Sequence, residues 1–253
     1  MSLQLRALTV RFGARVAVDG VDLHAHPGEV LAVLGPNGSG KSSLLRAIAG
    51  LLPSQGEIRR KTAWRSFYMP QDSFARASLT AFEVALLGRV RSLGFRPATA
   101  DLDAAAAALA ELGIGDLADR RIGELSGGQR QMVFLAQLLV AEPQVMLLDE
   151  PTSALDVRHQ LALLELLRRL TRERGLVTIL ALHDLNAAAR FADRVALLSD
   201  GRLLAEGTPE AVLTAATLAE AYQVEAQVHR APDGHLSIAP SRALESRAPA
   251  AQG

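Results

Sequence analysis

Gly35-Pro36-Asn37-Gly38-Ser39-Gly40-Lys41-Ser42 is the stretch that decides the fold. It spells G-x-x-x-x-G-K-S, a loop built to wrap phosphate. Five apolar residues precede it, Val30-Leu31-Ala32-Val33-Leu34, and a helical segment opening at Ser43 and closed by Gly50 follows. Strand, loop and helix in that order are the context the motif needs. The glycines let successive backbone N–H groups turn inward on phosphate oxygens, and the helix N-terminus adds positive potential. Lys41 can reach the β- and γ-phosphates, and Ser42 can ligate Mg²⁺. The loop implies a bound nucleoside triphosphate without saying what it is used for.

Working outward, Leu8, Val10 and Phe12 alternate with polar or small residues until Gly13, and residues 21–26 run to Pro27-Gly28. Both read as antiparallel strands ahead of the loop. A turn and a further strand occupy residues 51–58. From about 78 to 125 the pattern becomes helical, over 79–90 and then 102–112. Apolar runs at 145–148 and 177–182 suit strands buried on both faces, hence a parallel α/β sheet. Between them the spacing predicts a helix over 157–174, with Leu161, Leu164, Leu167 and Leu170 on one stripe and Gly175 as its stop. Asp200-Gly201 marks a hairpin, and Thr208-Pro209 opens a last helix as N-cap and N1. The main domain is expected over 1–228, with a helical subdomain inserted at about 76–138. The tail from 229 to 253 is expected to be loosely ordered.

The chain has 253 residues, a formal net charge of +0 and no cysteine. That length can bury a full core. The neutral balance gives no basic field for nucleic acid. The absence of cysteine removes disulfides, thiolate metal sites and cysteine nucleophiles, and suits a reducing compartment. Neither a signal peptide nor an apolar run of membrane-spanning length is evident, so work at a membrane would go through a partner. His24, His26, His159, His229 and His235 are scattered and receive no metal role, and Trp64 reads as packing or surface.

Two further stretches carry chemistry. Leu147-Leu148-Asp149-Glu150 ends a strand with two acids. Asp149 stands where a carboxylate would hold Mg²⁺ through its water shell, and Glu150 where it can orient or deprotonate an attacking water. The pair by itself reads equally as two surface acids closing a strand. Leu125-Ser126-Gly127-Gly128-Gln129, followed by a helical run from Arg130, makes a second helix-start anion site. The alternative is an ordinary Ser-capped helix, which the combination of these five residues with a P-loop disfavours.

Together these motifs resemble the ATP-binding cassette (ABC) ATPases over about residues 3–224. The resemblance implies an α/β fold: a P-loop NTPase (RecA-like) core with an N-terminal antiparallel β-subdomain and an inserted α-helical subdomain. It makes Gly35 through Ser42 the Walker A loop, with Pro36, Asn37, Gly38, Ser39, Gly40 and Ser43 on the nucleotide. Ser126, Gly127, Gly128 and Gln129 become the family signature, Asp149 the end of Walker B and Glu150 the catalytic glutamate. Ser153-Ala154-Leu155-Asp156 becomes the D-loop, with Asp156 at the nucleotide site. Gln71, after Tyr68-Met69-Pro70, becomes the Q-loop glutamine, touching Mg²⁺ or water; alone it would read as a solvated loop residue. His183 becomes the switch histidine on the γ-phosphate; alone it would read as structural. Phe12 would stack on adenine where many members carry Tyr. Lys41, Gln71, Glu150 and His183 would serve hydrolysis, and Ser42, Gln71 and Asp149 the Mg²⁺.

The family implies a head-to-tail dimer in which Ser126, Gly127 and Gly128 of one copy cover the γ-phosphate held by the other. ATP then joins the two copies and hydrolysis releases them. The region near residues 79–95 would dock a transmembrane permease subunit. Leu86-Leu87-Gly88-Arg89, Ala154 through Gln160 and His183-Asp184-Leu185-Asn186 are similar to importers of iron–siderophore complexes, haem and cobalamin. There, two identical cassettes serve two permease subunits, and an extracytoplasmic binding protein delivers cargo. That resemblance implies a peripheral protein on the cytoplasmic face of the inner membrane, with no nucleic-acid partner. Other importers and exporters share the same ATP chemistry. A soluble repair or translation ATPase would need a long coiled coil or a second P-loop, and the chain has neither. A small-molecule kinase would leave residues 125–129 unexplained.

Overall fold

The computed structural model describes residues 2–61, 63–70, 78–89, 97–153 and 155–244. Two long strands, β1 (Leu3–Phe12) and β2 (Arg15–Ala25), pair antiparallel with Phe12 opposite Arg15. β3 (Val30–Leu34) is buried at every residue and delivers the chain to the phosphate loop. α1 (Lys41–Ile48) leaves that loop, β4 (Gln55–Arg59) returns to pair with β1, and β5 (Ser66–Met69) follows. A helical block comes next: α2 (Ala81–Leu86) with a 3₁₀ turn at Leu87–Arg89, α3 (Thr99–Glu111) and α4 (Gly127–Ala141). β6 (Val145–Asp149), α5 (Val157–Arg174), β7 (Val177–Ala181) and α6 (Leu185–Phe191) then alternate. β8 (Arg194–Ser199) and β9 (Arg202–Gly207) form the hairpin at Asp200-Gly201.

The main sheet runs in the order β5-β6-β7-β3-β8-β9. Its first five strands are parallel and β9 is an antiparallel edge. β3, β6 and β7 are buried along their whole length. Burying one leucine is worth about 2 kcal/mol, more than any intrinsic strand preference, so two-sided apolar runs dictate central positions. Alternation then divides the core. Leu31, Val33, Leu147 and Ile179 face α1 and the three-stranded sheet β2-β1-β4. Ala32, Leu34, Leu148 and Leu180 face the other way, onto α4 and α5. The helical block lies between β5 and β6, which are neighbours in the sheet.

The helices differ in detail from the periodicity reading. α2 stops after six residues and tightens into the 3₁₀ turn, where Gly88 presses on α4: a Cβ there would lie 2.3 Å from the Gln137 carbonyl oxygen. On α5 the buried stripe is Leu163, Leu164, Leu167 and Leu170, whereas Leu161 is 40% exposed. The first turns of α5 project beyond the core, so burial begins only at Leu163. Thr208 and Pro209 do cap a helix, but it is α7 (Pro209–Val212), a single turn, and α8 (Ala215–Tyr222) follows it.

The expectation of a loosely ordered tail over 229–253 is corrected for residues 229–244; residues 245–253 lie outside the described residues. β10 (Val224–Arg230) and β11 (Leu236–Ala243) pair antiparallel, so the expected boundary falls inside a strand. Ala226 and Ile238 on one face of this hairpin are buried in the core beside Tyr222 and Val228. Gly234, with φ +87, closes the turn through its N–H on the Ala231 carbonyl. The alternation is short and diluted by Pro240 and polar residues, and only the packing reveals it. Among the described residues, no helix is long and apolar enough to cross a membrane.

Candidate active site

Two glycines force the phosphate loop into shape. Gly35 has φ +149, and a Cβ there would sit 2.3 Å from the Leu198 carbonyl oxygen. Gly40, the N-cap of α1, has φ +101, with the Ala17 carbonyl oxygen 2.3 Å from a Cβ. Only glycine fits either position. Lys41 is buried, and its Nζ donates to the carbonyls of Gly35 at 2.7 Å and Pro36 at 3.1 Å. Burial pulls the Lys41 pKa below the usual lysine value, while Glu150 and Asp149 pull it the other way. A cleft of about 200 Å³ lies over the loop, lined by residues 37–43 with Phe12, Arg15, Ala17 and Glu150.

The two acids occupy different surroundings. Asp149, the last residue of β6, is buried, and both its oxygens accept hydrogen bonds from hydroxyls. Ser42 Oγ donates to one at 3.0 Å and the Tyr68 phenol to the other at 2.9 Å. Arg46 Nε in turn donates to the Tyr68 oxygen at 3.0 Å. Burial raises the Tyr68 pKa, which keeps it a neutral donor. Glu150 turns out of the strand with φ +51, an uncommon left-handed conformation for a non-glycine residue. Its N–H donates to the Ala181 carbonyl of β7 at 3.0 Å. Its carboxylate lines the cleft, and its Oε1 meets His183 Nε2. His183 sits just past β7, ahead of α6, whose N-terminus Asp184 caps.

Residues 126–129 are not part of this cleft. Ser126 is the N-cap of α4, and a capping box closes on itself: Gln129 N–H donates to Ser126 Oγ at 3.2 Å, and Ser126 N–H to Gln129 Oε1 at 3.0 Å. Ser126 is exposed, and Gly128 borders a separate groove with Leu155 and His159. Asp156 likewise stands away from the loop, as the N-cap of α5. It accepts from the His159 N–H at 2.9 Å, which helps hold its carboxyl below the usual aspartate range. Gln71 and Ala154 lie outside the described residues, as do residues 90–95 of the expected docking stretch.

Sequence reasoning missed four residues at the site. Arg15 lines the cleft beside Phe12, and Tyr68 and Arg46 buttress Asp149. Tyr222 donates nothing to the cleft, yet its hydroxyl accepts the Gly35 N–H at 2.9 Å. Of these, only Arg15 carried a local signal, a cation three residues past the cleft-lining Phe12.

The chain and its fold have counterparts among known proteins. Residues 18–153 match the family model of the ABC transporter. The hemin import ATP-binding protein HmuV of Bradyrhizobium diazoefficiens is 40% identical, with 94% of each chain covered. A chain of a metal-chelate type ABC transporter in an inward-facing conformation superposes with a TM-score of 0.86 at 28% identity, covering 95% of this chain and 98% of that one. A bacterial ABC transporter cassette solved as a dimer gives a TM-score of 0.73 at 28% identity, covering 82% and 98%. The chain belongs to the ABC transporter family. Within it, this is an ATP-binding subunit that hydrolyses ATP to power transport.

Proposed function

We propose that this subunit powers a membrane importer for hemin or a chemically related metal chelate. The observation that carries the cargo class is the 40% identity to a hemin import protein across 94% of both chains. Two copies would work beneath transmembrane permease subunits, peripheral to the cytoplasmic face, with an extracytoplasmic binding protein delivering cargo. A paired arrangement is supported by the exposed Ser126 helix start, which lies apart from this chain's own cleft. In a head-to-tail pair, Ser126, Gly127 and Gly128 would close over the phosphates of the other copy.

Within one copy, the triphosphate draws Lys41 from the loop carbonyls onto the β- and γ-phosphates, while backbone N–H groups of residues 38–43 hold the remaining oxygens. Phe12 offers its ring to adenine at the cleft mouth. Glu150 aligns the attacking water, and His183, already against Glu150, reaches the γ-phosphate. Ser42 Oγ and Asp149 are adjacent hard-oxygen donors that fit Mg²⁺, and no cluster of three or more metal-binding side chains occurs among the described residues. Ser42 and Asp149 would hold the ion, which would supply positive charge against the phosphates. Gln71 would complete its shell.

The test is affinity capture of the tagged chain from detergent-solubilised membranes, with uptake assays in a strain lacking the gene. A co-purifying permease subunit and loss of hemin uptake are expected. Intact hemin uptake with loss of another cargo would overturn the cargo assignment.

A further inference from the structure

Both peptide groups flanking the base of the phosphate loop are spoken for. The Gly35 carbonyl accepts Lys41 Nζ at 2.7 Å, and the Gly35 N–H donates to the Tyr222 hydroxyl at 2.9 Å, 187 residues away in sequence. Tyr222 ends α8, which packs on β8 and β9. Burial pushes its phenol up to about 12, so at working pH it is a fixed neutral acceptor for this N–H. Gly35 is itself wedged between the Leu198 carbonyl and Ser39 Oγ, so the loop base has little room to find another partner.

The chain that leaves Tyr222 reaches the site a second time. Gln223 turns left-handed with φ +55 into the β10–β11 hairpin, whose far strand packs on α6. There Asn186 pairs with the backbone of Ile238 as a strand neighbour would. Ile238 N–H donates to Asn186 Oδ1 at 2.8 Å, and Asn186 Nδ2 donates to the Ile238 carbonyl at 3.1 Å. Asn186 sits three residues past His183, in the first turn of the helix that Asp184 caps.

We infer that residues 209–244 form a brace that sets the ATP site at two points, with Tyr222 and Asn186 as positioning residues. Tyr222 holds the loop that grips phosphate, and the Asn186–Ile238 clasp fixes the helix behind His183. The second arm rests on the proposed role of His183 in hydrolysis; the first does not.

The two arms predict different kinetics. In the full chain, Tyr222→Phe removes the acceptor and should raise KM for ATP about threefold to tenfold with kcat within about twofold, the range of one net hydrogen bond. A fluorescent ATP analogue should lose affinity by the same factor. Asn186→Ala should lower kcat about threefold to tenfold with KM unchanged. With kcat scaled to the titrated concentration of ATP-binding sites, a merely structural role would lower only the folded fraction, leaving both scaled kcat values and the KM for ATP at wild type. That outcome overturns the brace. His183→Ala is the control. If it retains full turnover, the histidine reading fails and the Tyr222 arm alone decides. If it loses turnover while Asn186→Ala keeps the wild-type kcat and Tyr222→Phe keeps the wild-type KM, the brace fails and the histidine stands.

Discussion

Two helix starts in this chain invite the same ligand and are built in opposite ways. The start of α1 is enclosed, wound through left-handed glycines, backed by a buried lysine and braced from 187 residues away. The start of α4 is exposed, follows an ordinary N-cap geometry and ties the Ser126 and Gln129 N–H groups to its own Gln129 and Ser126 side chains. The difference is one of self-sufficiency. The first is a preformed grip on phosphate, and its strain is held by the surrounding fold. The second costs nothing to keep folded and gains a use only when a phosphate is brought to it. A chain with one grip of each kind suits a machine whose closed state requires a neighbour.

The largest effect that separates the two is on chemistry. Glu150→Gln should cut hydrolysis about 10²- to 10³-fold while ATP still binds and holds a dimer on a sizing column. Turnover near wild type in a single-turnover assay would remove Glu150 from the reaction. Next, Ser126→Arg should abolish ATP-dependent dimerisation and most hydrolysis, yet leave nucleotide affinity of the single chain within about twofold. If single-chain affinity collapsed, the two starts would belong to one site and the contrast would vanish.

A smaller effect concerns backbone strain. Gly40→Ala meets the Ala17 carbonyl at 2.3 Å and should cost about 1–3 kcal/mol in urea unfolding. Gly128→Ala, whose nearest neighbour is a flexible leucine methyl at 3.4 Å, should stay within about 0.5 kcal/mol of wild type. Equal losses would contradict the claim that only the first start is strained.

The smallest is confined to alkaline pH. Tyr222 is held neutral up to about 12 in the folded chain, against an ordinary value of 10.0. Its contribution is therefore fully present below pH 10 and is lost as pH rises toward 12, where the unfolded phenol ionises first. The loss should reach about 1–2 kcal/mol, and Tyr222→Phe should abolish that part of the pH dependence.

The P-loop, the central strands and α5 are legible in the sequence because their information is contiguous: eight residues, short apolar runs, a helical periodicity ending at Gly175. Asp149 and Glu150 are legible as a pair but not in their unequal surroundings, since Ser42 and Tyr68 lie 107 and 81 residues from Asp149. Tyr222 was invisible for the same reason, because nothing near it signals Gly35. The C-terminal hairpin was misread because composition argued for disorder while only two residues, Ala226 and Ile238, bury deeply enough to order it.

The insertion of α2, α3 and α4 between adjacent parallel strands has a mechanical consequence. Parallel neighbours put the block's two attachments at opposite ends of the sheet. At the end far from ATP, Arg65 and Gln144 lock together: Arg65 N–H donates to Gln144 Oε1 at 2.9 Å, and the Arg65 carbonyl accepts from Gln144 and Val145 at 3.0 and 3.1 Å. At the near end β5 closes at Met69, one residue past Tyr68, whose hydroxyl rests on Asp149. The helical block is thus tied at one end to the Arg65–Gln144 lock and at the other to the strand that carries Tyr68, the phenol resting on the carboxylate beside the phosphate loop.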